Sequence, residues 1–166
     1  MSQSLTINRQ FVLASRPKGE PDADTLRLET KPVPKPAPGQ ILLRTEYLSL
    51  DPYMRGRMSD APSYAAPVAL GAVMEGGTVA QVVVSHLDGF SPGDWVLSFN
   101  GWQDFAVSDG TGVTVLGPDL AHPSWALGIM GLPYSRSCRA TPAPALFARL
   151  AAIQDVRSLR AKVVPR

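Results

Sequence analysis

Hydrophobic and polar positions alternate in short runs along most of this chain, and proline and glycine punctuate the runs. The clearest run is ILLRTEYLSL, residues 41–50, which predicts a strand with one face turned inward. RQFVLAS (9–15) and TLRLETKPVP (25–34) predict two strands before it, the second ended by prolines that cannot donate to a ladder. After it, GGTVAQVVVS (76–85) is β-branched and bounded by glycine, as strands are. WVLSF (95–99), WQDFAVS (102–108) and GVTVLGP (112–118) predict three more strands, preceded by a turn at Pro92-Gly93-Asp94. The run SDAPSYAAPVALG (59–71) reads as a loop, and HPSWALGIM (122–130) as the start of a helix, with Pro123 in its first turn and His122 near the cap. Short strands at this spacing predict an all-β barrel or sandwich, and no internal repeat is visible.

The pattern changes after Pro133. ALFARLAAIQDVRSL places Leu146, Leu150, Ile153 and Val156 at helical spacing in an Ala/Arg-rich tail. Charge changes with it. Residues 1–133 hold 9 Lys+Arg and 13 Asp+Glu, a balance of −4; residues 134–166 hold 7 and 1, a balance of +6, which together give the chain its +2. The organisation expected is therefore a domain over 1–133 and a divergent basic tail over 134–166.

Composition narrows the class. In 166 residues, 45% apolar and 18% charged, there is room for one soluble domain with an appendage. The single cysteine, Cys138, excludes an internal disulfide framework and a multi-cysteine zinc site, and suits the cytoplasm. The N-terminus has no apolar core of a signal peptide, and no apolar run is long enough to span a bilayer. A nucleic-acid partner would rest on the tail alone, so neither nucleic acid nor membrane is expected.

The candidate chemistry lies where the third strand runs into Asp51-Pro52-Tyr53-Met54-Arg55. Proline fixes φ, and aspartate bonds nearby backbone, so Asp51-Pro52 predicts a tight turn. Tyr53 then either packs into the core or enters a cleft, where its hydroxyl would bond a substrate oxygen. Arg55 and Arg57 either pair with Asp60 or Glu75 or attract an anion. Tyr64, on the Pro-rich loop, either packs on the surface or borders the cleft. Trp95, Trp102 and Trp125 read as core or hinge packing. Cys138 lies between Arg136 and Arg139 with no base nearby, which does not favour a nucleophile.

LSLDPYMRGRM, the glycine pair in MEGGTVAQVV, GDWVLSFNGWQDF and SWALGIMGLP occur in order across residues 9–133. Together they resemble the N-terminal part of the zinc-independent medium-chain dehydrogenase/reductases, in the branch of NADP-dependent alkenal double-bond, prostaglandin and curcumin reductases. The resemblance implies a GroES-like, partly open β-barrel with short helices, joined in such enzymes to a Rossmann half whose Gly-rich loop cradles NADPH. Here no G-x-G-x-x-G-like run follows a strand, so the Rossmann domain is expected to be absent and the tail, predicted helical, to be truncated or frameshifted. Arg, Ala and Pro are what a G+C-rich gene yields out of frame; anion binding by the tail's arginines is the other reading.

The same resemblance implies function. The complete enzyme would use NADP(H) to reduce the C=C bond of an α,β-unsaturated aldehyde or ketone, with donors stabilising an enolate oxygen. Tyr53 is the candidate donor; Tyr53, Arg55 and Tyr64 are candidate substrate contacts; Met130 and Pro133 match the turn on the nicotinamide side. No metal is expected: Asp51-Pro52-Tyr53 stands where zinc-dependent relatives place a cysteine, and Ala72 where they place a histidine, while His86 and His122 lack ligand spacing. Without the second half, the chain is expected to be inactive alone, to bind NADP(H) weakly if at all, and to self-associate or form a homodimer through the exposed barrel face. The alternative is a non-enzymatic barrel remnant or partner-binding module.

Overall fold

The computed structural model describes residues 7–63, 65–118, 122–127 and 139–142. Eight strands, one short α-helix and one 3₁₀ helix make up the described chain, and every strand pair in it is antiparallel. Strands β1 (Ile7–Leu13) and β2 (Leu26–Pro32) form a hairpin. The remaining sheet has the order β6-β3-β4-β5-β7, where β3 is Ile41–Leu50, β4 Thr78–Ser85, β5 Trp95–Ser98, β6 Phe105–Ser108 and β7 Thr114–Val115. This is the mainly β, partly open barrel that the resemblance implies, and of the barrel and sandwich that the patterning allowed it is the barrel; β6 and β7 are its two unjoined margins.

β3 is the axis of the barrel. Its ten residues are long enough to take two partners in succession on one edge: β6 along Ile41–Arg44, then β8 (Arg139–Pro142) along Tyr47–Leu50. Irregularities between Leu42 and Leu43 and between Thr45 and Tyr47 bend its pairing with β4 on the other edge. The hairpin is laced to the sheet through β1. Phe11 N–H donates to Trp102 O, Met74 N–H to Phe11 O, and Leu13 N–H to Ala72 O. That double use of β1 explains why Phe11, Val12 and Leu13 are all buried instead of alternating.

Three apolar clusters fill the fold. Phe11, Leu13, Leu48, Met54, Met58, Val68, Met74 and Trp102 pack under the corner after β3. Ile41, Leu43, Ala80, Val82 and Val96 fill the barrel, and Val79, Ala126 and Leu127 pack at a third position. Trp102 is core, as expected, but Trp125 is 46% exposed: its 3₁₀ helix, Pro123–Leu127, turns Ala126 and Leu127 inward. His122 sits at the start of that helix, its Nδ1 2.7 Å from Ser124 Oγ. Two strands are shorter than expected. Residues 102–104 bond β1 before β6 begins, and only two residues of the 112–118 run pair with β5. Four residues of the tail form β8, which the composition did not announce, whereas the helical pattern around Leu146–Val156 lies outside the described residues.

Candidate functional site at the corner after β3

β3 stops at Leu50 because Pro52 cannot continue its ladder. The pyrrolidine instead presets helical φ, −57° at Pro52, and a five-residue helix follows, α1 (Tyr53–Arg57). Met54 N–H donates to Asp51 O at 3.1 Å and Arg55 N–H to Pro52 O at 3.2 Å. The predicted turn is thus one turn of helix, whose start needs no side-chain cap. The Asp51 carboxylate accepts from Ser49 Oγ at 2.7 Å, tying the corner back to the strand.

α1 turns Met54 into the first cluster, joined by Met58 just past its end, and packs Tyr53 against it, half-buried. The two arginines clamp it. Arg57 donates to both oxygens of Glu75, Nε at 2.7 Å and Nη2 at 2.6 Å, a fork-on-fork pair of the strong kind. Arg55 donates to the carbonyls of Pro17 (3.0 Å) and Gly19 (2.7 Å), pinning the loop between β1 and β2. Arg16 reaches in from that loop to Met58 O and Val68 O. Of the two acidic partners considered for Arg55 and Arg57, Glu75 takes Arg57, and Asp60 lies 3.9 Å from Arg16.

Beside Glu75, Gly76 lets this corner close. A Cβ there would stand 3.0 Å from Leu48 Cδ1, 3.0 Å from Met54 Cε and 3.1 Å from Trp102 Nε1. Gly101 is required for a second reason: its φ is +73°, and a Cβ would come within 2.6 Å of Met74 O. The buried Trp102 N–H has no hydrogen-bond partner among the described residues. A cavity of about 320 Å³ opens against α1, lined by Leu50, Asp51, Pro52, Met54, Arg55 and Trp102 with Pro21 and Met58. Its wall is chiefly apolar, with polar groups at Asp51 and Arg55.

The site residues expected from sequence divide accordingly. Tyr53 and Arg55 lie on one helix at this corner, and Arg55 is engaged with main-chain carbonyls. Tyr64, Met130 and Pro133 lie outside the described residues. Arg16 and Trp102's orphan N–H were not foreseen as parts of the corner; an arginine bonded to carbonyls leaves no mark in residue spacing. Among the described residues no group of three or more His, Cys, Asp or Glu side chains converges as a metal would need, and no helix is long and apolar enough to cross a membrane. Nor do the described residues offer a phosphate cradle of the helix-terminus kind, since their one α-helix spans five residues.

Known proteins share this pattern. A family model described as the N-terminal domain of oxidoreductase matches residues 9–116. The chain is 54% identical over 133 residues to the NADPH-dependent curcumin reductase of Escherichia coli (strain K12), covering 80% of this chain and 39% of the relative. It is 34% identical over 135 residues to mouse (Mus musculus) prostaglandin reductase 1, covering 80% and 37%. The crystal structure of CurA in complex with NADPH from Vibrio vulnificus superposes with a TM-score of 0.71 at 57% identity, covering 75% of this chain and 37% of that one. The chain thus spans under two fifths of the length of these relatives. It belongs to the family of oxidoreductase N-terminal domains, in the medium-chain branch that holds the curcumin and prostaglandin reductases.

Proposed function

We propose that this domain is the substrate-side wall of an NADPH-dependent reductase acting on C=C bonds conjugated to a carbonyl in small enals or enones. The observation that carries the reading is the clamped corner. α1 carries Tyr53, packed on the first cluster; the Arg57–Glu75 pair and the bonds of Arg55 fix that helix, and an apolar cavity lined by its Met54 and Arg55 opens against it, in a chain 54% identical to a curcumin reductase. A phenol fixed by packing is preorganised to donate to an oxygen whose charge grows during the reaction, and one such donor is worth roughly a hundred-fold or more in rate. Arg55 and Tyr64 border the substrate, and Met130 and Pro133 meet the nicotinamide side. The cofactor supplies hydride, and its phosphates are held outside the described residues. The compartment proposed is the cytoplasm, which suits a chain with one cysteine.

The division proposed is a barrel unit over 1–133 and a tail over 134–166 that lends the barrel one strand, β8, on the edge of β3. Without a partner half the barrel is inactive and self-associates through an apolar end. Phe99 and Leu127 flank Gly77 there, beside Ser49, and Phe99 is 68% exposed.

The test is a chimera joining residues 1–133 to the remainder of the E. coli curcumin reductase. The expected result is NADPH oxidation dependent on an enone, with Tyr53→Phe lowering kcat roughly a hundred-fold. A folded, NADPH-binding chimera that reduces no enone would overturn the function. Full rate in Tyr53→Phe would remove the role of Tyr53.

A further inference from the structure

The open seam of the barrel holds a second cavity. On β6, Phe105 stands opposite Arg44 and Val107 opposite Leu42. In an antiparallel ladder, opposed residues alternate between pairs that exchange both main-chain bonds and pairs that exchange none. Phe105 gives its N–H and its C=O to the Asn8 carboxamide, so Arg44–Phe105 is a pair without exchange. Two residues on, Leu42–Val107 is of the same kind, and Val107 turns its N–H and C=O outward, away from β3.

β1 follows this outward edge through the Gln10–Gln103 bridge and the Asp104 N–H bond to Arg9 O. At Phe105 the Asn8 side chain takes its place. Further along lies a cavity of about 330 Å³ between β6, the end of β5 and residues 111–113. Ser98, Asn100, Gln103, Val107, Thr111 and Val113 line it, and no lining residue carries a charge. The Gln103 amide is committed to Asn100 O and Asn8. Asn100 Nδ2 is buried with no hydrogen-bond partner among the described residues.

We propose that this seam binds a small neutral primary amide or lactam with an apolar flank. The ligand's carbonyl accepts from Val107 N–H and Asn100 Nδ2, and its N–H donates to Val107 O. An amide with N–H and C=O on the same side satisfies both groups of one strand residue. That is the geometry the Asn8 carboxamide realises at Phe105, repeated one step along the edge. The apolar flank rests on Val113. The absence of charge in the lining excludes a carboxylate as the preferred ligand. This site shares no residue with the cavity at α1 and does not rest on the reductase reading.

The probe is benzamide, titrated into the ¹⁵N-labelled full chain while the Val107 amide and Asn100 side-chain signals are followed. Both are expected to shift saturably. N,N-dimethylbenzamide, which has no donor, is expected to bind at least about ten-fold more weakly, a difference well within reach of one lost hydrogen bond. Thr111→Trp, which blocks the mouth from an exposed lining position, is expected to abolish the shifts in a protein of unchanged Tm. Asn100→Leu is expected to weaken benzamide about ten-fold. No saturable shift at Val107 and Asn100, equal binding of the dimethyl amide, or undiminished binding to folded Thr111→Trp would each overturn the proposal.

Discussion

Asn8 substitutes for a strand beside Phe105. Its Nδ2 donates to Phe105 O at 3.0 Å, its Oδ1 accepts from Phe105 N–H at 2.8 Å, and both residues are buried. One side chain thereby satisfies the main-chain groups that the margin of an open barrel would leave unpaired.

Replacing Asn8 by leucine keeps the volume and strands both Phe105 groups. Each buried unpaired group costs on the order of 1–3 kcal/mol, so Asn8→Leu, which strands two, is expected to destabilise the fold by about 2–6 kcal/mol. Urea denaturation should show a lower midpoint with an unchanged slope.

Gly76→Ala forces a methyl group against Leu48, Met54 and the Trp102 indole at about 3 Å. Overpacking of this kind costs roughly 1–3 kcal/mol. Because Met54 belongs to α1, the substitution should also displace the Tyr53 ring signals in NMR spectra. Gly77→Ala, whose nearest neighbour would be 3.6 Å away, is expected to leave both stability and those signals nearly unchanged.

The loop between β1 and β2 carries a pH-sensitive lock. Thr25 Oγ1 donates to Asp22 Oδ1 at 2.7 Å and Asp24 N–H to the same oxygen at 3.1 Å. The bond from Thr25, foremost, holds the Asp22 carboxyl below its usual range. A depressed carboxyl favours the folded loop while ionised. That contribution is complete above the ordinary aspartate range, near pH ~4, and is lost as the pH falls through the lower folded value. Carboxyl ¹³C titration should place the Asp22 midpoint below that of a Thr25→Val variant, and coincident midpoints would contradict the lock.

Self-association through the end bearing Phe99 should appear in light scattering as species larger than a monomer. Phe99→Ser should shift the population toward monomer. A monodisperse monomer at all concentrations would remove this part of the account.

Much of the barrel was legible in sequence because β3 and β4 are long enough for their patterns to speak, and β3 begins and ends where ILLRTEYLSL does. α1 was not, since five residues containing Gly56 are too few to show a helical period, and its start depends on Pro52 rather than on a capping side chain. Nor was β8. Arg139–Pro142 has no alternation of its own and becomes a strand because the Tyr47–Leu50 edge of β3 offers main-chain partners. At the corner, the Arg57–Glu75 pair was readable as one choice between acids, because charges advertise themselves. Arg55's bonds to Pro17 and Gly19 were not, because any residue can supply a carbonyl.

On the proposed function, the barrel walls a substrate pocket while the cofactor's phosphates are held elsewhere. Fluorescence titration of the full chain with NADPH tests it most directly. No saturation is expected up to about 100 µM, whereas the chimera with the curcumin reductase remainder should saturate at low micromolar concentration. Saturable binding by the chain alone, with a dissociation constant of about 1 µM, would contradict the account.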